Sequence, residues 1–333
     1  MARRNSRRMK KLQPAVETLY FRTPTVAAGQ IGTFYLDLSQ VASLVNRRFY
    51  RQGINWAVGG FKFFGSQPAN IAVSKLPTTW VLSNAWMKSF KAWQQMIDNA
   101  VEEPDMESIK GRFLDFKIHA DAKHHELGFG ANLLPYDWQE PVPQAYAVGQ
   151  WQASEFTIPV TGGTVNQRDI IAVGANLPGV SPATGNNAVS MIQGYADSRG
   201  LPYQQDPNVP DDASLNWLMS IFNEGTLQDN AVVGQLEVVG DQAPYPFEND
   251  GTNTDTMYPG GETNAPTLQL HDIDNVTSTT IGGITRLKGG AFPCGLIRFD
   301  IDNQSEGAQG YAFTIDMVPG GHRGYLCEKM TEM

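Results

Sequence analysis

Cysteine, charge and long apolar runs are all scarce in this chain of 333 residues. Two cysteines, Cys294 and Cys327, are too few for a disulfide framework, and we expect two reduced, buried thiols, with a bridge only if their strands are neighbours. No apolar run approaches the roughly 18 residues of a membrane span. The N-terminus also lacks the apolar segment of a secretory signal. We therefore expect a soluble protein that is made inside the cell and has no membrane span.

Sequence signatures of catalysis are missing as well. The chain has no nucleophile elbow, P-loop, HExxH motif or dinucleotide-binding fingerprint. Its one dense polar cluster, His119 to Glu126, contains His124 next to His125. Adjacent residues of a strand face opposite sides, so we interpret the cluster as a solvated strand end rather than a metal site. The sequence predicts no enzyme and no cofactor.

Oxygen-rich segments offer a second type of metal ligand. They are the loop 250–255 and the pairs Asp272/Asp274 and Asp300/Asp302. Calcium would accept such ligands, but Asp-rich turns and strands also arise for backbone reasons alone. We therefore predict no metal site.

Charge is distributed unevenly along the chain. The first 12 residues, MARRNSRRMKKL, contain six cations and no acidic residue: Arg3, Arg4, Arg7, Arg8, Lys10 and Lys11. Without these six, 19 basic residues remain against 34 acidic ones, a net of −15. A basic arm on an acidic body suggests contact with nucleic acid, because Arg and Lys displace the counterions of phosphates. A solvated tail and a nuclear-import signal are the alternatives.

The rest of the chain is rich in extended segments and turns, with 33 Gly and 20 Pro. Alternating or β-rich patterns predict strands at 18–23, 29–38, 56–64, 69–76, 109–119, 155–160, 169–173, 231–239, 268–273, 295–302 and 310–318. Helical patterns lie at 39–51, 83–102, 188–199 and 212–224. Strands without βαβ alternation favour an all-β, antiparallel sandwich or barrel with long loops, including 133–148 and 241–266.

A second basic group, Arg47, Arg48 and Arg51, lies at the end of the predicted helix 39–51, for which Ser39 is the expected N-cap. Cations are favoured at a helix C-terminus by the macrodipole, which is a purely structural explanation. The same three side chains could form a second surface that faces phosphates. We include them with the arm as candidate nucleic-acid-binding residues.

Four stretches resemble capsid proteins of small circular Rep-encoding single-stranded DNA viruses (CRESS-DNA viruses) of the circovirus-like, environmental and marine type. They are the start MARRNSRRMKK, TFYLDLSQVASLVNRRFYRQG at 33–53, GFKFFGS at 60–66 and WMKSFKAW at 86–93. The resemblance implies a single jelly roll of eight antiparallel strands that assembles into an icosahedral shell with its arms inward. It divides the chain into a disordered basic arm, residues 1–17, and a shell domain, residues 18–333, with helices inserted near 83–102, 188–199 and 212–224.

The expected function is therefore a structural protein of the virion that packages a single-stranded genome, DNA rather than RNA. Its expected partners are further copies of itself and that genome. Host nuclear import machinery is a further candidate partner, which would place assembly in the host cell nucleus. Two alternatives come from other classes. One is a nucleic-acid-binding structural protein that does not assemble. The other is a β-sandwich hydrolase or carbohydrate-binding module with Trp138, Tyr146 and Trp151 as its sugar platform.

Overall fold

The computed structural model describes most of the body of the chain. The described residues are 14–65, 67–102, 115–137, 143–160, 164–178, 187–197, 267–277 and 283–330. Their helices are α1 (Leu38–Asn46), α2 (Trp80–Glu102), α3 (Ala122–Leu127) and α4 (Met191–Asp197). The predicted helix 212–224, the predicted strand 231–239 and the loop 241–266 lie outside the described residues, as do the first 13 residues.

Eight long strands form two antiparallel sheets. They are β1 (Thr18–Arg22), β2 (Ile31–Asp37), β3 (Ile54–Phe64), β4 (Ala69–Lys75), β11 (Gln269–Val276), β12 (Ile284–Pro293), β13 (Leu296–Asn303) and β14 (Ala312–Met317). One sheet has the order β1-β14-β3-β12, and the short strand β17 (Cys327–Lys329) extends it beside β3. The other sheet has the order β11-β4-β13-β2. Every pairing within these two sheets is antiparallel.

The core lies between the two sheets, because alternate side chains of each strand point inward. Strand β3 contributes Phe61 and Phe63, which are 1% exposed. The ring of Phe63 stacks on Phe313 of the same sheet, with 4.7 Å between centroids, and lies 6.0 Å from Phe299 of the facing sheet. The prediction of a mainly antiparallel β-sandwich is therefore confirmed.

A third layer is built from the chain between β4 and β11. Its sheet has the order β7-β8-β10-β9, formed by β7 (Glu155–Val160), β8 (Thr164–Ile171), β9 (Leu177–Pro178) and β10 (Asn187–Ser190). Strands β8 and β10 are parallel, unlike the pairs of the sandwich. A second apolar cluster joins Ile118, Phe156 and Ile170 of this layer to Tyr35 and Leu296 of the sandwich. The layer therefore packs against the outer face of the β2 and β13 strands.

Helix α2 covers part of this second core, as its aromatic spacing predicts. The ring of Trp86 stacks on Phe90, one turn further along, at 5.2 Å between centroids. Phe90 in turn contacts Phe116, at 5.7 Å. None of the helices in the described part of the chain is both long and apolar enough to span a membrane.

Several boundaries differ from the prediction. Helix α1 ends at Asn46 rather than near residue 51, and its N-cap is Asp37 rather than Ser39. The predicted helix 188–199 is the strand β10 followed by α4. In the predicted strand 109–119, residues 115–118 form no strand and only His119 makes an isolated bridge, to Ile171; residues 109–114 lie outside the described part. Strand β12 was not predicted at all.

Smaller hairpins complete the described structure. Within the segment 133–148, β5 (Tyr136–Asp137) pairs with β6 (Gln144–Ala145). Near the end of the chain, β15 (Pro319–Gly320) pairs with β16 (Gly324–Tyr325). Cys294 is fully buried in the turn between β12 and β13, whereas Cys327 is half-buried, and the two form no disulfide with each other.

Candidate nucleic-acid interface

The predicted basic group lies in the loop that follows α1. Arg47 ends the helix in the left-handed conformation, at φ 52° and ψ 42°, and no basic residue occupies the last helical turn. Arg47 and Arg51 are exposed, and Arg48 is half-buried. The three cations thus follow the helix rather than forming its last turn, which weakens the macrodipole explanation for Arg51 in particular.

The start of the described chain is fixed beside this loop. Arg48 Nη1 donates a hydrogen bond to the carbonyl of Pro14 at 3.0 Å. The backbone N–H of Val16 donates to Oδ1 of Asn46 at 3.1 Å, and the Tyr325 hydroxyl donates to the Val16 carbonyl at 2.7 Å. The six arm cations, from Arg3 to Lys11, lie outside the described residues. The chain that carries them nevertheless enters the body next to Arg48.

Buried aromatic rings support the loop from below. Tyr50 is fully buried, and its ring lies 5.8 Å from Trp56 and 5.6 Å from Tyr325. Burial raises the pKa of Tyr50, although a hydrogen bond from Arg48 and the charges of Arg48 and Arg323 oppose the rise. Burial also raises the pKa of Tyr325 to about 12. Both phenols therefore stay neutral at physiological pH and act as hydrogen-bonding groups.

The charges of Arg47, Arg48 and Arg51 are not neutralised by carboxylates of the described chain. The ion pairs found there join other residues, such as Lys62 with Asp316 at 2.5 Å and Arg298 with Asp121 at 3.3 Å. A cation without a carboxylate partner keeps its charge for an external anion, and phosphate is the anion that Arg binds in bidentate fashion. The three predicted residues thus lie in one loop, where Arg47 and Arg51 are exposed and Arg48 contacts the start of the described chain.

The histidine cluster differs from its prediction as a solvated strand end. His124 and His125 lie on helix α3, not on a strand, and His119, His124 and His125 are 3%, 0% and 7% exposed. Asp121 is the N-cap of α3, and its carboxylate accepts the backbone N–H of His124 at 2.8 Å. Asp121 stands directly before the first residue of α3, and Asp is a common N-cap residue, so the sequence contained a signal for this helix.

Each buried histidine has a defined partner. His124 Nδ1 accepts the N–H of Ala120 at 3.0 Å, so the neutral ring carries its proton on Nε2 and donates to Oδ1 of Asn132 at 2.9 Å. Burial lowers the pKa of His124 well below its usual value. The ring is therefore neutral at pH 7 and serves as a structural crosslink.

Asp169 lies between the other two histidines. Its Oδ2 is 3.0 Å from His125 Nε2 and 3.7 Å from His119 Nε2, beside a cavity of about 380 Å³. Burial raises the pKa of Asp169, but the hydrogen bonds and charges of His119 and His125 outweigh burial and bring it to about 2. In the described part of the chain, no three His, Cys, Asp or Glu side chains are placed to hold a metal ion.

The carboxylates considered as calcium ligands have protein partners. Asp300 accepts hydrogen bonds from Thr33 and Arg298, and Asp302 from Asn70 and Gln304. Asp272 accepts the backbone N–H of Lys288, and Asp274 that of Asn275. The loop 250–255 lies outside the described residues.

Among the three aromatic residues of the suggested sugar platform, Trp151 makes contacts within the protein. Trp151 donates from Nε1 to the buried carboxylate of Asp37 at 3.1 Å, and Lys117 Nζ lies 4.2 Å from the ring centroid. One face of the indole is therefore covered by the protein's own cation. Trp138 lies outside the described residues, and Tyr146 is half-buried.

Comparison with known proteins adds no relative. No protein-family model, no curated protein and no solved structure matches this chain.

Proposed function

We propose that this chain is the capsid protein of a small virus, which assembles into an icosahedral shell around a single-stranded genome, DNA rather than RNA. The observation that carries the proposal is the strand order of the sandwich. Numbered first to eighth along the chain, its eight long strands follow the order 1-8-3-6 in one sheet and 2-7-4-5 in the other. The first strand thus pairs with the eighth and the second with the seventh.

The other four strands of the sandwich pair in the same nested way. The third strand, β3, pairs with the sixth, β12, and the fourth, β4, pairs with the fifth, β11. A long antiparallel ribbon that is rolled up gives these nested pairs, and this double Greek key is the jelly roll found in viral capsids, lectins and cupins. The strand order therefore supports a single jelly roll with its largest insertion between the fourth and fifth strands.

The distribution of charge favours a capsid among the jelly-roll proteins. The first 12 residues carry six cations, and the chain that follows them contacts Arg48 at Pro14, in the loop where Arg47 and Arg51 are exposed. Such a surface neutralises phosphates whatever the base sequence, as packaging of a whole genome requires. The proposal gives the protein a structural role in the virion, with the host cell nucleus as a candidate site of assembly.

Electron microscopy of the purified recombinant protein at low and high salt tests the proposal. We expect closed shells of uniform diameter that contain nucleic acid. A variant that lacks residues 2–11 is expected to assemble into shells without nucleic acid, measured by the ratio of absorbance at 260 and 280 nm after nuclease treatment. A small monodisperse particle at every salt concentration would contradict assembly and favour a non-assembling nucleic-acid-binding protein. An unchanged nucleic-acid load in the truncated shells would contradict the role of the arm.

A further inference from the structure

Arg323 lies on the same surface as the loop after α1, although about 270 residues separate them in sequence. It occupies the turn of the β15–β16 hairpin, where it has a left-handed backbone at φ 52° and an exposed side chain. Arg323 Nη1 donates to the carbonyl of Phe49. The Tyr50 hydroxyl donates in return to the carbonyl of Arg323 at 2.8 Å. These two hydrogen bonds fasten the hairpin to the loop.

Arg48 and Arg323 both lie close to the hydroxyl of Tyr50. Both guanidinium groups act on the Tyr50 hydroxyl, since each opposes the rise in its pKa that burial causes. Arg48 also contacts the carbonyl of Pro14, the first described residue after the basic arm. Lys11 is three residues before Pro14, and three residues span at most about 11 Å. Two distant parts of the fold and the attachment point of the arm therefore meet at one place.

Acidic residues are rare in the sequence of the two joined segments, although the whole protein has a net charge of −9. The chain contains no Asp or Glu between Asp37 and Asp98, nor between Asp316 and Glu328. Both of the joined segments fall within these intervals. Within the described residues, Arg323 forms no ion pair, and neither do the three arginines of the loop. Glu17 is exposed one residue after Val16, but no described carboxylate, Glu17 included, forms an ion pair with any of the four arginines.

We propose that Arg323 completes a phosphate-binding surface with Arg47, Arg48 and Arg51, and that this arginine surface holds the backbone of single-stranded nucleic acid where it leaves the arm. This inference rests on the proposed packaging function and assigns part of that function to the folded body. Contacts of this kind are electrostatic and independent of base sequence.

A count of charges favours a contribution from the body. A genome that encodes 333 residues has about a thousand phosphates, whereas the arms of sixty copies supply roughly 360 cations. The arginine surface adds four cations per copy, or about 240 more in the same shell. Among these additional cations, Arg48 contacts Pro14, the first described residue after the arm.

The test is the salt dependence of binding to a fluorescently labelled 30-nucleotide oligo(dT), measured by anisotropy with the full chain. The variant combines Arg47→Asn, Arg51→Gln and Arg323→Asn, because Asn tolerates the left-handed backbone of both positions. Arg48 is kept because it fixes Pro14. The affinity falls as salt rises, and each lost phosphate contact makes the slope of log K against log salt shallower by about 0.7 for single strands. We therefore expect the slope of the triple variant to be shallower by about 2.

A matched control removes three exposed cations elsewhere, through Lys91→Gln, Arg286→Gln and Lys288→Gln. It has the same net charge as the first variant, and we expect its slope to remain that of the unchanged protein. Equal slopes for the two variants would overturn the inference. If the triple variant does not fold, Arg323→Asn and Arg51→Gln are measured singly, each with an expected decrease of about 0.7 in the magnitude of the slope.

The salt-dependence test of the arginine surface and the assembly test of the capsid proposal can fail independently of each other. Shells with nucleic acid but an unchanged slope in the variant would contradict the arginine surface alone. A lowered slope in a protein that forms no shells would contradict the capsid proposal and leave the arginine surface as a nucleic-acid contact. Arg323→Lys keeps the charge, so its slope is expected to match that of the unchanged protein, and a decrease would show that the hairpin geometry rather than charge is being measured.

Discussion

The fully buried carboxylate of Asp37 accepts a hydrogen bond from Nε2 of Gln52 at 3.1 Å, and both side chains also contact the inserted chain that builds the third layer. Gln52 continues the connection, because its Nε2 donates to the carbonyl of Ile118 at 3.0 Å and its Oε1 accepts the N–H of Ile118 at 2.7 Å. Asp37 also caps α1 through the N–H of Ser39 at 2.8 Å and accepts Nε1 of Trp151. One carboxylate thus serves β2, α1 and the inserted chain.

Replacement of Asp37 by Ala is therefore expected to destabilise the fold strongly. The variant loses an N-cap worth about 1 kcal/mol. It also removes the acceptor of one N–H of Gln52 and of the Trp151 indole N–H, at about 1–3 kcal/mol each. We expect a loss of about 3 kcal/mol or more in the free energy of unfolding, measured in urea. Asp37→Asn keeps a capping oxygen and is expected to lose less. A loss below about 1 kcal/mol in Asp37→Ala would contradict the role of the cap and its network.

The sequence predicted those parts of the fold that depend on local pattern. Strand β3 was recognised because alternate residues along it are apolar, and α2 because its aromatic residues recur at helical spacing. The N-cap of α1 was placed at Ser39 instead of Asp37 because both residue types cap helices. Only the structure shows that the Asp37 carboxylate accepts the backbone N–H groups of Ser39 and Gln40, which makes Asp37 the cap.

Features that depend on distant residues were not predictable in this way. Strand β12 was missed because Gly289, Gly290 and Pro293 are typical of turns, and its pairing with β3 becomes apparent only in three dimensions. The burial of His125 depends on Asp169, 44 residues further along. Arg323 stayed outside the predicted nucleic-acid-binding set because a lone arginine between two glycine-rich segments gives no local signal.

Acid is expected to destabilise the protein through the buried histidines. Burial lowers the pKa of His119 and of His124, and His119 and His125 bring the pKa of Asp169 to about 2. The unfolded chain therefore binds protons at a higher pH than the folded chain does. The stability from these groups is present above pH 6.5 for the histidines and above pH 3.8 for Asp169, and it is lost as pH falls.

Urea unfolding at pH 7.5, 6.5 and 5.5 at constant ionic strength measures this dependence. A pKa lowered by one unit corresponds to about 1.4 kcal/mol, so we expect a loss on the order of 1–3 kcal/mol between pH 7.5 and 5.5. His124→Gln removes one of the titrating groups and is expected to show a shallower dependence on pH, even if its stability at pH 7.5 is lower. A stability that is constant or that rises towards pH 5.5 would contradict the neutral state of the buried histidines.

A close approach of two backbones makes Gly289 sensitive to substitution. Strand β12 pairs with β3 here, with Lys288 opposite Gly60 and Gly290 opposite Val58. A Cβ atom at Gly289 would lie 2.2 Å from the carbonyl oxygen of Val58, which is backbone and cannot rotate away. We expect Gly289→Ala to lower the free energy of unfolding by about 3 kcal/mol, because the two strands must separate to admit the methyl group.

Gly321 provides the matched control for Gly289→Ala. No atom lies within 4 Å of a Cβ built on Gly321, and its backbone is not in the left-handed region. Gly321→Ala is therefore expected to change the free energy of unfolding by less than about 1 kcal/mol, with a gain favoured because Ala restricts the unfolded chain. Urea unfolding of the two variants side by side measures the difference. Equal stability would mean that β12 does not pair with β3 in this register, and the nested pairing of the third and sixth strands would then lose its support.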